Sequence, residues 1–279
     1  KDVCAAGIDL PRLIKEVHAR ILDQDGHPLS QRILGRAMRD RRFFHSMLKA
    51  AKYAQKPLEQ QGILRHPPLI FSEEHKFRAL PTVADVPFRD RWDSLDLQVA
   101  EPKVKAAFFS GCVQDFVYPE QAEAGARIFA RLGADLSYPM EQLCCGLPLL
   151  MTGEKASAKD VALVNMDAML GPGTPDVEYI VTMCASCASH LKHGYPKLFP
   201  DDAKLRTQAE QFAAKVIDFS TFMVDVLGAS SKHFDRMGAW TRTAYHSPCH
   251  LCRGLGVTEQ PRQLLQMAGL DYAPAEEED

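Results

Sequence analysis

The chain has 279 residues, enough for one large or two ordinary domains, and its 46% hydrophobic and 25% charged residues describe a folded protein. A formal net charge of −3 gives no global electrostatic case for nucleic acid. No apolar run approaches the roughly 18–20 residues of a membrane span, and eight cysteines without a signal-peptide pattern suit metal binding in a reducing, cytoplasmic setting rather than a disulfide scaffold.

Cys4 stands just before GIDLPRLIKEVHARIL, where Pro11 suits a first helical turn and Leu10, Leu13, Ile14, Val17 and Ile21 fall on one face at helical spacing. This pattern resembles the exit from a bacterial-type ferredoxin module, although Ala5 stands where such modules have Pro. The resemblance implies that Cys4 ligates a cubane cluster completed by cysteines outside this chain. On physics alone it reads equally as a small buried apolar residue. Residues 31 to 56 mix Arg and Lys with Ile33, Leu34, Phe43, Phe44, Met47 and Leu48, predicting one or two amphipathic helices. Their basic cluster, Arg39, Arg41 and Arg42, reads as a docking face for an acidic partner or membrane surface, or as a solvated helix face. From Pro57 to Pro102 the pattern breaks at Pro67, Pro68, Pro81 and Pro87, which predicts an extended linker packed over neighbouring domains.

Alternating strands and helices begin at Val104. Residues 104–109 (VKAAFF) predict a buried strand, 119–132 a helix stopped by Gly133, and 134–139 (ADLSYP) a second strand. A helix is expected over 155–170, closed by Gly171-Pro172, and a third strand over 178–183 (EYIVTM). The fold class is therefore α/β with parallel-sheet layers. Cys112, the Cys144-Cys145 pair and Cys184 each follow one of these strands, so they can converge at the carboxyl edge, where open α/β sheets bind ligands. Cys187 then starts a helix whose amides suit an anionic thiolate cluster, and Gly111 and Gly146 allow close backbone approach.

Five of the eight cysteines form this spaced set: 31 residues separate Cys112 from Cys144, 38 separate Cys145 from Cys184, and two separate Cys184 from Cys187. Neighbours such as Cys144 and Cys145 make a strained mutual disulfide. A closed zinc site takes four ligands, so five clustered thiolates fit an iron-sulfur cluster better, with a zinc-stabilised interaction module as the rival. The set resembles the cysteine-rich CCG motif of heterodisulfide reductase catalytic subunits and of the iron-sulfur subunits of lactate, glycolate and anaerobic glycerol-3-phosphate dehydrogenases. The phrases GCVQDFVYPE, GLPLLMTG and TAYHSPCHL are similar to lactate-utilisation iron-sulfur proteins as well, and the resemblance spans roughly residues 104 to 275. It implies that Cys112, Cys144, Cys145, Cys184 and Cys187 hold a four-iron four-sulfur (4Fe-4S) cluster, non-cubane in the best-understood relatives.

A partial internal repeat follows. TAYHSPC aligns with AAFFSGC, placing Cys249 opposite Cys112, and PRQLLQMAGLDYAP aligns with ARIFARLGADLSYP. At the first copy's spacing a second CC pair is expected within about three residues of Asp279. Cys252, which completes CHLC, occupies the position of Asp115 and reads as a further ligand, a redox thiol or a small apolar residue. His246 and His250 flank Cys249 and could hydrogen-bond a cluster or carry protons, although structural roles are commoner. His190 and His193 read as solvated residues or as groups behind the ligands. There is no dinucleotide fingerprint, phosphate loop or nucleophile elbow.

The expected organisation is a ferredoxin-like end over 1–30, a helical segment and Pro-rich linker over 31–103, a first CCG domain over 104–239, and the start of a second over 240–279. The metal ligands expected are Cys112, Cys144, Cys145, Cys184, Cys187, Cys249 and Cys4. The resemblance implies an electron-transfer subunit, partnered by a flavin dehydrogenase subunit that carries FAD and by other iron-sulfur subunits. Electrons would pass from lactate or glycolate oxidation toward a quinone or another carrier, with peripheral association at the inner membrane face. Heterodisulfide chemistry at the cluster is the alternative.

Overall fold

A computed structural model describes residues 8, 10–65, 79–234 and 242–275. Cys4, Pro67, Pro68 and the acidic run 276–279 lie outside the described residues. Three helices open the chain: α1 (Leu10–Asp25), α2 (Leu29–Arg39) and α3 (Arg41–Gln55). A small antiparallel sheet follows, ordered β1 (Glu59–Gln60), β2 (Ile63–Arg65) and β3 (Ala79–Pro81). Next come α4 (Phe88–Arg91), β4 (Val104–Phe108), α5 (Gly111–Phe116), α6 (Pro119–Arg131) and β5 (Ala134–Ser137). Helices α7 (Leu147–Met151) and α8 (Lys155–Leu170) precede β6 (Tyr179–Thr182) and α9 (Ala185–Ser189). Then α10 (Ala203–Lys215), β7 (Val216–Asp218) and α11 (Phe219–Thr221) lead to β8 (Arg242–Thr243), α12 (Cys249–Leu255), α13 (Glu259–Met267) and β9 (Asp271–Tyr272).

The chain divides into two compact units, one within residues 1–85 and 143–165, the other within 86–142 and 166–279. In the first, α2 and α3 are the pair of amphipathic helices expected, separated by Asp40, whose carboxylate accepts from the Phe43 N–H at 3.0 Å and caps α3. The apolar face read from the sequence lies on helix α1, as its spacing predicts, but it is exposed. Leu10, Leu13, Ile14, Val17 and Ile21 are 46–60% exposed, and among the described side chains of α1 the buried ones are Ala19 and Leu22. The reason is local: α1 seats on the turn before α8, where a Cβ at Gly153 would lie 2.5 Å from Leu22 Cδ1. Of the basic cluster, Arg39 is engaged, its Nη1 3.0 Å from Asp160 Oδ2.

The second unit is built on a four-stranded parallel sheet ordered β5-β4-β6-β7. Strand β4 sits inside it with only Lys105 exposed, as a strand covered on both faces requires. Lys105 pairs with Asp135 and Ala107 with Ile180. One core gathers Phe88, Phe108, Phe129, Tyr138, Val181 and Phe222. The first three strands and helices α6 and α8 match their expected spans within two residues, and the fold class is α/β. Strand β7 and helix α10 had no clear sequence signal.

Part of the expected linker is core. Residues 86–97 fold around α4, and Phe88 is fully buried, its ring 5.5 Å from that of Phe108 and 5.3 Å from that of Tyr138. The one proline here, Pro87, caps α4 rather than breaking the segment, and burying the Phe88 ring contributes about 1.5–3 kcal/mol to holding it in the core. Trp92 stacks on Tyr138 at 5.0 Å.

Candidate metal centre

Strands β4 and β6 are neighbours, and the sheet order reverses there: β5 lies beyond β4 on one side, whereas β6 and β7 lie on the other. Such a switch point opens a crevice at the carboxyl ends of the strands. Cys112 follows β4 by way of Ser110 and Gly111, and Cys184 follows β6 by way of Met183. The Phe109 N–H donates to Val181 O at 2.9 Å, holding the two strand ends together.

Cys184 caps α9. Its Sγ accepts from the Cys187 N–H at 3.4 Å. Hydrogen bonding from Cys187, joined by the Ser186 N–H, lowers the thiol from 9.0 to about 6 despite the opposing effect of burial. Cys184 is therefore largely a thiolate at neutral pH, the form that binds metal. Gly111 turns at φ +67, and a Cβ there would lie 3.2 Å from Cys187 Sγ. Only glycine both adopts that turn without strain and leaves the sulfur its room. The second unit thus brings the Cys112 turn, Cys184 and Cys187 to one edge of its sheet.

Cys144 and Cys145 are buried, at 5% and 3% exposure. Asn165, fully buried on α8, holds their turn. Its Oδ1 accepts from the Leu143 N–H at 2.7 Å, and its Nδ2 donates to Cys144 O at 2.9 Å. Gly146, at φ +88, starts α7 immediately afterwards. Cys249 and Cys252 lie in α12, exposed and half-buried respectively, and His246 and His250 are exposed. His190 overturns its expectation as a solvated residue. It is 5% exposed, because a turn of π-helix over His190–Gly194 folds its ring against Tyr195 at 5.4 Å and over Gly194. His193 is exposed; partial desolvation, with Lys192 and Lys197 adding to the effect, holds it below the usual histidine range.

A polar network that sequence reasoning missed surrounds the Cys112 turn. Ser110 Oγ lies 2.9 Å from Tyr138 Oη, and the Ser110 N–H donates to Gln142 Oε1 at 3.0 Å. Gln142 Nε2 donates to Phe108 O and Pro139 O, both at 3.1 Å. Asp115 on α5 is fully buried and takes Arg89 Nε at 2.6 Å, Arg89 Nη2 at 2.5 Å and the Arg89 N–H at 3.1 Å. Burial pushes the Asp115 carboxyl up even with the guanidinium opposing, and burial with Asp115 alongside holds the Tyr138 phenol above its ordinary range. A buried Asp facing a buried Arg 26 positions away is a tertiary pairing without a local sequence signature.

No disulfide joins the described cysteines. Among the described residues, no three His, Cys, Asp or Glu side chains are drawn together tightly enough to hold a metal ion. The fit therefore rests on the donors and their turns. A preformed thiolate, a second thiol under a turn that excludes Cβ, and thiols sheltered from water match what a thiolate-ligated cluster requires.

The cysteine-rich domain called CCG matches residues 106–192, which include all five spaced cysteines. Lactate utilization protein A of Geobacillus kaustophilus (strain HTA426) is 34% identical over 172 residues, 61% of this chain and 68% of that protein. Its counterpart in Geobacillus thermodenitrificans (strain NG80-2) is 33% identical over the same shares, and lactate utilization protein A 1 of Bacillus cereus (strain AH820) is 35% identical over 58% of this chain and 64% of its own. With the strand ends, the cysteine spacing and this identity in agreement, the chain belongs to the lactate utilization protein A family and carries a cysteine-rich CCG domain.

Proposed function

We propose that this chain is an iron-sulfur subunit in lactate utilisation, and that Cys112, Cys144, Cys145, Cys184 and Cys187 hold a 4Fe-4S cluster. The observation that carries the reading is the Cys184–Cys187 turn beneath Gly111, where one thiol is ionised and another lies where a Cβ would intrude. Such a cluster, when bound, takes up and releases single electrons. The protein supplies the thiolates, shelters Cys144, Cys145 and Cys187 from water, and directs the Cys187 amide to a ligand sulfur, an interaction that tunes cluster potentials.

The proposed donor is a flavin dehydrogenase subunit with FAD that oxidises lactate or glycolate, and the proposed acceptor is a quinone or another carrier. Cys249 and Cys4 are proposed as ligands of further 4Fe-4S clusters completed by residues outside this chain. No helix among the described residues is long and apolar enough to cross a membrane. A peripheral place on the inner face is part of the proposal.

The test is anaerobic purification with iron, sulfide and zinc analysis, followed by lactate-dependent dye reduction by the co-purified complex. Iron and sulfide near four per site, lost in Cys145→Ser, with lactate-dependent reduction, is the expected result. Stoichiometric zinc without iron would overturn the cluster, and reduction of a heterodisulfide but no response to lactate would overturn the role.

A further inference from the structure

Cys112 is bracketed by two buried polar residues, Ser110 two positions before it and Asp115 three after, with exposures of 1% and 0%. The hydroxyl of Tyr138 reaches both, lying 2.9 Å from Ser110 Oγ and 3.5 Å from Asp115 Oδ2. Asp115 is held in turn by the fork of Arg89, and Arg89 Nη1 also donates to Met140 O at 3.4 Å, two residues from Tyr138. The bracket is closed from Arg89 through Asp115 and Tyr138 to Ser110. The ring of Tyr138 is fixed independently, stacked on Trp92 and edge-on to Phe88.

Stability alone does not account for this arrangement. Burying a guanidinium and a carboxylate costs several kcal/mol of desolvation per ion, and apolar residues of similar volume often serve a core equally well. A fully satisfied set of directional bonds, unlike an apolar cluster, rigidifies the turn it holds and specifies one arrangement. Here it fixes the turn that must leave Cys187 its room.

We propose that Arg89, Asp115, Tyr138 and Ser110 are positioning residues that hold the Ser110–Gly111–Cys112 turn in the geometry in which Cys112 retains iron. The inference rests on the iron-sulfur reading and adds to it four residues that are not thiols. Tyr138 is the key member, because its hydroxyl reaches Ser110 on one side of Cys112 and Asp115 on the other. Tyr138→Phe removes that one atom and keeps the ring among Phe88, Trp92 and Phe108.

The experiment uses the full chain, reconstituted anaerobically with ferrous iron and sulfide. It compares wild type with Tyr138→Phe and Ser110→Ala by iron release to an excess of chelator, by the electron paramagnetic resonance spectrum of the reduced protein, and by urea unfolding of the iron-free chain. Residues that orient ligands typically carry 10- to 100-fold of metal affinity. We expect iron release about tenfold faster or more in both variants, with a changed spectrum and an unfolding midpoint close to wild type. Wild-type release and spectrum in both variants would overturn the inference, whether or not urea stability falls, and leave the iron-sulfur reading in place. Should Tyr138→Phe fail to fold, Ser110→Ala decides alone. If the wild type takes up no iron, or Cys112→Ser loads and keeps it normally, the iron-sulfur assignment of Cys112 fails first and the inference with it.

Discussion

Replacing Asn165 by Leu tests whether the turn carrying Cys144 and Cys145 depends on one side chain of α8. Leu keeps the branching and heavy-atom count of Asn and is somewhat larger, so no cavity forms and any overpacking adds to the cost. It removes the bond from the Leu143 N–H at 2.7 Å and the bond to Cys144 O at 2.9 Å, at a residue that is fully buried. A buried backbone group left without a partner costs about 1–3 kcal/mol, so two together cost about 2–6 kcal/mol. Asn165→Asp should cost at least as much. It retains an acceptor for the Leu143 N–H but sets a carboxylate oxygen against Cys144 O, in a site that desolvates the charge. The assay is urea unfolding of the iron-free protein, paired with maleimide labelling of Cys144 and Cys145, which are shielded in the native state. Faster labelling at both thiols should accompany the lost stability. A loss below about 1 kcal/mol with unchanged labelling would refute the argument, since the turn would then be held by the chain without its clamp.

Gly111→Ala should cost the iron-free protein about 1–2 kcal/mol for the left-handed backbone alone, and should weaken iron retention because its methyl lies 3.2 Å from Cys187 Sγ; urea unfolding and iron analysis report the two effects separately. Arg89→Leu should cost about 3–5 kcal/mol by leaving Asp115 buried and unpaired, and Arg89→Leu with Asp115→Leu should recover most of it, as a double-mutant cycle would show. Because folding lowers the Cys184 thiol from 9.0 to about 6, its contribution is fully present above pH 9 and disappears as the pH falls through 6. Alkylation of Cys184 in the iron-free protein should therefore be half-maximal near pH 6, and Cys184→Ser should flatten the rise in stability between pH 6 and 9.

What was legible in the sequence was whatever repeats along it. Residues 104–109 and 178–183 read as strands because β-branched and aromatic residues run together between turn signals, and helix Lys155–Leu170 was readable from its apolar periodicity and the Gly-Pro that follows. The cysteine turns were legible because thiol spacing is discrete. Strand β7 was not, since Val216–Asp218 is three residues long and offers no period to detect. The linker reading of residues 86–97 failed for a different reason. The prolines on which it rested are local signals, only one of them, Pro87, within 86–97, whereas Phe88, Trp92 and Arg89 act through partners between 20 and 51 positions away. The same distance hid Asn165, an ordinary helical residue until the Leu143–Cys144 turn is placed against it. On α1 the periodic apolar spacing predicts the helix that forms, but α1 packs through Ala19 and Leu22 rather than through that face.

The repeat shows how far a shared pattern fixes structure and where it stops. Strands β8 and β9 pair in parallel as β4 and β5 do, with Arg242 opposite Asp271 where Lys105 stands opposite Asp135. Each pair is bridged by two helices, and Gly133 and Gly269 end the second helix of each copy at φ +103 and +76. Backbone order and register are thus reproduced from little more than apolar spacing and a terminal glycine. The polar bracket around Cys112 is not. Where the first copy has Asp115, clasped by Arg89, the second has Cys252, which brings no carboxylate for a buried arginine to meet. A carboxylate at that position makes the segment carrying Arg89 indispensable, because no solvent reaches Asp115 to compensate its charge. The upstream segment is consequently bound to the first copy by an electrostatic demand that the first copy alone creates. That demand, rather than the strand and helix pattern common to both copies, distinguishes the setting of Cys112 from that of Cys249.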